Sequence, residues 1–186
     1  MRLFFRAASV AAIVLPCLVQ AGIAEAQTRG PEARVAIMQH DVLHPDTEEN
    51  GIDIELQLIG APLGHIPLLG TPRPYVSASG NSDSETNFAS VGLAFDRRFT
   101  DRLTGEIQFG YAVHDGDLDS TDAETQSAKL QLGSRDLFRT ALGLDYRVSE
   151  DWAVGVQWDH LSHGQIIGDG YNQGIDAAGV RVSRRF

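Results

Sequence analysis

The amino-acid sequence predicts an all-β fold, an eight-stranded antiparallel transmembrane β-barrel of the outer-membrane type, on three observations. Eight segments alternate apolar and polar residues with a period of two, are bounded by turn residues, and leave no convincing amphipathic helix. The face opposite the apolar one carries Glu106, Arg139, Asp145, Arg147, Arg181 and Arg185, charges that a polar lumen holds and a dry sandwich core does not. Several connections alternate in length, as short periplasmic turns and long outer loops do: residues 99–102 and 149–151 are brief, whereas the links after the fifth and seventh segments are long.

The opening residues 1–26 read as a secretory signal peptide, with Arg2 and Arg6 ahead of an apolar run and Ala24-Glu25-Ala26 as a small-x-small cleavage site. From Ala7 to Val19 the uninterrupted run is about 13 residues, against roughly 20 for a spanning helix. Cys17 is the single cysteine and falls inside this leader, so residues 27–186 carry neither thiol nor disulfide. Because the leader holds two arginines and one glutamate, the formal charge of −10 becomes −11 without it, which argues against nucleic acid as a partner. The same charge repels lipopolysaccharide phosphates unless divalent cations bridge them or the acidic groups lie in loops away from the headgroups.

Taken in order, the expected strands are 33–41, 51–59, 73–80, 87–98, 103–114, 137–148, 152–162 and 175–186. The second sets Ile52, Ile54, Leu56 and Leu58 against Asp53, Glu55 and Gln57; the fifth sets Ile107, Phe109, Tyr111 and Val113 against Glu106, Gln108 and His114. Aromatic residues collect near strand ends at Phe95, Phe99, Tyr111, Tyr146, Trp152 and Trp158, where interfacial girdles sit, and the last segment closes on Phe186. The apolar, Pro-rich stretch 59–74 fits a short turn poorly and is expected to form an extra interfacial segment. Motifs for phosphate loops, redox cysteines and zinc proteases are missing from the sequence. The acidic loop Asp115, Asp117, Asp119, Asp122 and Glu124 leaves a divalent cation open, although no cofactor is expected. His114 at its base reads as a buried polar partner rather than a ligand, and His40, His44 and His65 lack metal spacing.

Chemistry concentrates in the last two strands. Along 152–162 the even positions Trp152, Val154, Val156, Trp158, His160 and Ser162 share one face, and Asp176 shares that outward face with Val180 and Val182 on the next strand. A hydrolytic serine needs a base within hydrogen-bond reach and a third group to orient that base. His160 can lean onto Ser162, Asp176 can fix the imidazole tautomer, and the loop between them offers Gly164, Gly168, Gly170, Gly174 and Asn172 as oxyanion donors. A His, a Ser and an Asp facing lipid are costly unless paired near the outer interface, where only a lipid meets them.

The stretch from Leu132 to Phe186 resembles the C-terminal part of the lipid A 3-O-deacylase family, on His160-Leu161-Ser162-His163 and Asn172-Gln173-Gly174-Ile175-Asp176. His40-Asp41, Arg73-Pro74 and His114-Asp115-Gly116 also fit the family pattern. The resemblance implies an outer-membrane esterase that removes the 3-O-linked hydroxyacyl chain of lipid A. In it Ser162 is the nucleophile, His160 the base, Asp176 the orienting carboxylate, and Gly164 and Asn172 lie near the oxyanion. Lipid A in the outer leaflet and membrane lipid are the implied partners, and a homodimer is left open. Two departures stand out: His163 takes the place of the family's usual Asn, and Asp176 that of Glu. Beside this reading stand a non-enzymatic small outer-membrane barrel for adhesion or membrane integrity, and a soluble periplasmic lipid-binding barrel.

Overall fold

Eight antiparallel strands, each paired with its neighbours in sequence, close into a barrel in a computed structural model that describes residues 30–43, 49–67, 70–120, 129–168 and 170–186. The strands are β1 (Glu32–Gln39), β2 (Ile52–Ile59), β3 (Arg73–Asn81), β4 (Phe88–Arg98), β5 (Leu103–His114), β6 (Asp136–Arg147), β7 (Trp152–Ser162) and β8 (Ile175–Arg185). Their bounds lie within two residues of those expected from alternation alone. The expected signal peptide, residues 1–26, and the acidic positions Asp122 and Glu124 lie outside the described residues, as does His44. β8 pairs with β7 on one side and with β1 on the other, so the sheet has no free edge.

Which way each face points settles the solvent. Leu56, Leu58, Val91, Val156 and Val180 are exposed, whereas Glu55, Gln57, Gln157 and Arg181 on the same strands are buried; Val180 is 60% exposed and Arg181 1%. The sheet is inside out relative to a soluble barrel. Its apolar outer band suits hydrocarbon, and strands of 8 to 12 residues match what a tilted strand needs to cross it. The arrangement excludes the soluble periplasmic reading.

Aromatic side chains bound that band at both ends. Tyr111 and Trp158 lie towards the outer end, while Phe99, Tyr146, Trp152 and Phe186 mark the periplasmic end, where the Arg184 guanidinium lies 5.5 Å from the Trp152 ring and 5.2 Å from that of Phe186. Thr100 and Ser149 shape the short periplasmic turns by accepting backbone N–H groups on their hydroxyls. Residues 60–66 and 70–72 carry the β2–β3 ladder beyond its strands, with Leu63 N–H donating to Pro72 and Ile66 paired with Gly70.

The lumen is filled, not open. Arg139 donates to Asp159, Glu55 and Gln108 at 2.6 to 3.1 Å; Arg181 donates to Asp145, Glu106 and Gln157 at 2.6 to 3.0 Å. Arg34 adds a two-pronged pair with Glu106 at 2.5 and 2.7 Å. Gly143 leaves the space that the Arg181 guanidinium occupies: a Cβ there would lie 2.2 Å from Nη2. Nearer the outer mouth the filling turns apolar, with Leu130 and Leu132 from the β5–β6 loop packed among Phe88, Ala112, Leu137, Leu161 and Ile175. That plug was not evident from the acidic character of the loop.

His40, just beyond the outer end of β1, is buried with Nδ1 2.8 Å from Asp53 and Nε2 3.3 Å from Glu49. Burial alone would disfavour its charge, but hydrogen bonds and attraction from the two carboxylates outweigh that and raise its pKa from 6.5 to about 9. Glu49 also accepts from Thr86 and from the backbone of Leu130, so this cluster anchors the β5–β6 loop.

Two outcomes are expected. Arg139→Ala strands Asp159 and Glu55 in the lumen and should cost about 3–5 kcal/mol in urea unfolding from lipid vesicles, whereas Arg147→Ala at the periplasmic rim should cost far less. A histidine held charged stabilises the fold fully below its unfolded pKa and progressively less above it. The thermal midpoint in detergent should therefore fall between pH 6.5 and about 9, and His40→Gln should flatten that slope.

Candidate active site

β7 rises towards the outer end and β8 descends beside it. The register sets His160 directly opposite Asp176, with Phe138 of β6 opposite Ser162 and Thr140 opposite His160. Directly opposed residues bring their Cβ atoms within about 5.5 Å, so a short carboxylate reaches the imidazole without help. Asp176 Oδ1 accepts from His160 Nδ1 at 3.0 Å, and Ser162 Oγ lies 3.1 Å from His160 Nε2. With Nδ1 carrying the proton, Nε2 is the acceptor for the serine hydroxyl. The three groups named from strand parity thus meet in one hydrogen-bonded line on the outward face.

The neighbours of that line hold it in place. Leu161 and Ile175, adjacent in sequence to His160, Ser162 and Asp176, point inward into the apolar plug and are almost fully buried. The backbone carbonyl of Asp176 accepts from Val42 N–H at 2.6 Å, which ties the site to the seam with the β1–β2 connection. Gly174 has φ of +79°, and a Cβ on it would lie 2.9 Å from the Leu161 carbonyl and 3.2 Å from His160 Cε1. Glycine here meets two demands at once: a left-handed backbone and room for the edge of the imidazole. On another side of His160 the Trp158 indole stacks, with ring centroids 5.9 Å apart and planes 18° from parallel.

His163, the departure from the family's Asn, is fully buried, and both its ring nitrogens are engaged. Nε2 donates to the Tyr171 carbonyl at 2.7 Å and Nδ1 accepts from Gln165 N–H at 3.2 Å, while its own N–H donates to Asn172 Oδ1 at 3.0 Å. The imidazole thus spans the β7–β8 loop from within. That loop is in turn fastened to the β5–β6 loop, where Gln131 and Gln173 exchange hydrogen bonds at 2.6 and 3.2 Å. Asn172 spends its carbonyl oxygen on the loop, which leaves its amide nitrogen as the end able to donate. Gly164 adopts φ of +61° two residues after Ser162.

His114, expected to be a buried partner, lies 2.6 Å from the Ser134 carbonyl through Nε2. Asp115 accepts from the side chain and backbone of Asn87, and Lys129 pairs with Glu85, so each of these charges has a partner within the protein. Among the described residues no group of three His, Cys, Asp or Glu side chains is arranged to hold a metal ion. Strand parity located Ser162, His160 and Asp176; it did not reveal the structural work of His163 and Gly174, or the stacking of Trp158. For Trp158 a signal was present, since it precedes His160 by two residues and shares its face.

The family model described as lipid A 3-O-deacylase (PagL) matches residues 69–185. No curated protein matches the chain. Among solved structures, that of the outer membrane enzyme PagL superposes with a TM-score of 0.57 at 16% identity, covering 83% of this chain and 99% of the other. The N-terminal β-barrel domain of Pseudomonas aeruginosa OprF gives a TM-score of 0.54 at 13% identity, with 85% and 99% covered. At such identities the structural likeness speaks for the fold, while the family match extends over more than half of the sequence. The chain therefore belongs to the lipid A 3-O-deacylase (PagL) family of outer-membrane β-barrels.

Proposed function

We propose that the protein is a serine esterase that hydrolyses the 3-O-linked hydroxyacyl chain of lipid A in the outer leaflet. The observation that carries this reading is the Asp176–His160–Ser162 line, formed on the lipid-facing side of the barrel near its outer end. A relay that faces hydrocarbon meets esters presented by a membrane lipid and is poorly placed for a substrate dissolved in water. The selectivity for position 3 rests on family membership.

In the proposed reaction Ser162 Oγ attacks the ester carbonyl while its proton passes to His160 Nε2. Asp176 keeps the proton on Nδ1 and stabilises the imidazolium that forms. The tetrahedral oxyanion is met by donors of the loop, for which Gly164 N–H and the Asn172 amide are the candidates. On collapse His160 gives its proton to the departing sugar oxygen, which restores the 3-hydroxyl and leaves the acyl chain on Ser162. A water, deprotonated by His160, then releases the hydroxy acid and the serine. His163 acts at one remove by holding the loop that carries the oxyanion donors.

Lipid A from cells expressing the wild-type chain should be lighter by one hydroxyacyl group in mass spectrometry, and Ser162→Ala and His160→Ala should each abolish that change. Unaltered lipid A from a folded wild-type barrel would sink the esterase reading and favour the adhesion or integrity role. For the orienting carboxylate, Asp176→Asn should lower kcat on the order of 10²–10⁴-fold. Because Asp176 already reaches His160 at 3.0 Å from the directly opposed position, Asp176→Glu should slow the enzyme, by about 3- to 10-fold, despite restoring the family's residue. A faster Asp176→Glu enzyme would show that the short carboxylate is a defect.

A further inference from the structure

We propose that Trp158 is a positioning residue of the esterase: its indole forms a wall against which the His160 imidazole is held in line between Ser162 and Asp176. The inference rests on the esterase reading and adds a residue to it. Three contacts define the imidazole. Nδ1 and Nε2 fix its two polar corners at 3.0 and 3.1 Å, and the Trp158 ring lies alongside at 5.9 Å between centroids and 18° between planes. Gly174 lies close to the ring's Cε1 edge. Rotation of the imidazole about its side-chain bonds would therefore break a hydrogen bond, lose the stacking or run into Gly174.

The surroundings explain why such a wall matters here. His160 is part-exposed, with 36% of its side chain accessible, and faces lipid rather than the packed interior. On the outward face His160 is flanked across the sheet by the small Thr140 of β6 and by Asp176 of β8, and Trp158, two residues back on its own strand, supplies the ring stacked on it. An aromatic face also attracts the imidazolium that appears when His160 takes the serine proton, so the contact strengthens as the reaction proceeds. Membrane anchoring is the simpler role for an outer-girdle tryptophan, and it makes a different prediction. An anchor affects insertion and stability, whereas a positioning residue affects the reactivity of Ser162.

The experiment measures covalent labelling of Ser162 by a fluorophosphonate in detergent micelles, alongside lipid A turnover. In labelling, the Ser162 Oγ–P bond forms, the P–F bond breaks, fluoride leaves and the serine proton passes to His160. Trp158→Leu should slow labelling and lower kcat about tenfold, with KM for lipid A within about twofold of wild type; that fold-change corresponds to about 1.4 kcal/mol. Trp158→Phe, which keeps an aromatic face, should recover most of the rate, and Trp152→Leu at the periplasmic girdle should label as wild type. Heat-modifiable gel migration confirms that each barrel is folded. Labelling of folded Trp158→Leu at the wild-type rate, or a loss confined to KM for lipid A, overturns the proposal. A wild-type barrel that labels no faster than Ser162→Ala overturns the esterase reading instead.

A second measurement does not depend on Trp158→Leu folding. In a Trp152→Phe background Trp158 is the sole tryptophan of the chain, and the imidazole stacked on it alters its emission. The emission intensity of Trp152→Phe/His160→Asn should therefore differ from that of Trp152→Phe. Emission indifferent to His160 would mean that the two rings do not share a contact, and the proposal would fail.

Discussion

The ion pairs sealed inside the barrel are the constraint on which the rest of the structure depends. Arg139 and Arg181 cross the lumen to carboxylates on several strands, and each guanidinium is matched to more than one acceptor. Charges buried this way are costly apart and tolerable together, so the strands can turn their polar faces inward only as a complete set. Once they do, every second residue of every strand faces outward. The outward direction of His160, Ser162 and Asp176 follows from the same alternation, and these three groups need no separate device to bring them to the lipid surface.

Placing three polar groups against hydrocarbon is itself costly, and the hairpin offsets that cost locally. Each ring nitrogen of His160 has a partner, Asp176 is buried under the histidine it orients, and Ser162 stands at the end of the line nearest the loops. Behind this outward face Leu161 and Ile175 are locked into the apolar plug. Polar chemistry faces one way and apolar packing the other, within a run of three residues on β7. The loop follows the same economy, since His163 satisfies two backbone groups with one buried ring.

Much of this was legible in the sequence because a strand is the simplest pattern to read: parity alone assigns a side chain to lumen or lipid. The eight strands, the outward apolar face and the grouping of His160, Ser162 and Asp176 all follow from that rule. What parity cannot supply is register. Asp in the place of Glu at 176 is one methylene shorter, and the direct opposition of residues 160 and 176 makes the shorter side chain reach. Loops are the other gap. Leu130 and Leu132 sit in a stretch dominated by acidic residues, and their descent into the barrel depends on contacts with residues more than forty positions earlier and about thirty later, such as Phe88 and Leu161. His163 looked like the loss of an amide, and only its packing shows a ring doing comparable work.

One feature of the seam bears on biogenesis. Asp176 lies on the strand that joins the two ends of the sheet, and its carbonyl is bonded to Val42 of the first connection. A chain whose first and last strands are still apart lacks that bond. The bond that braces Asp176 from the first connection therefore exists only after ring closure. Joining the two ends of the sheet thus also finishes the backbone support of the residue that faces His160.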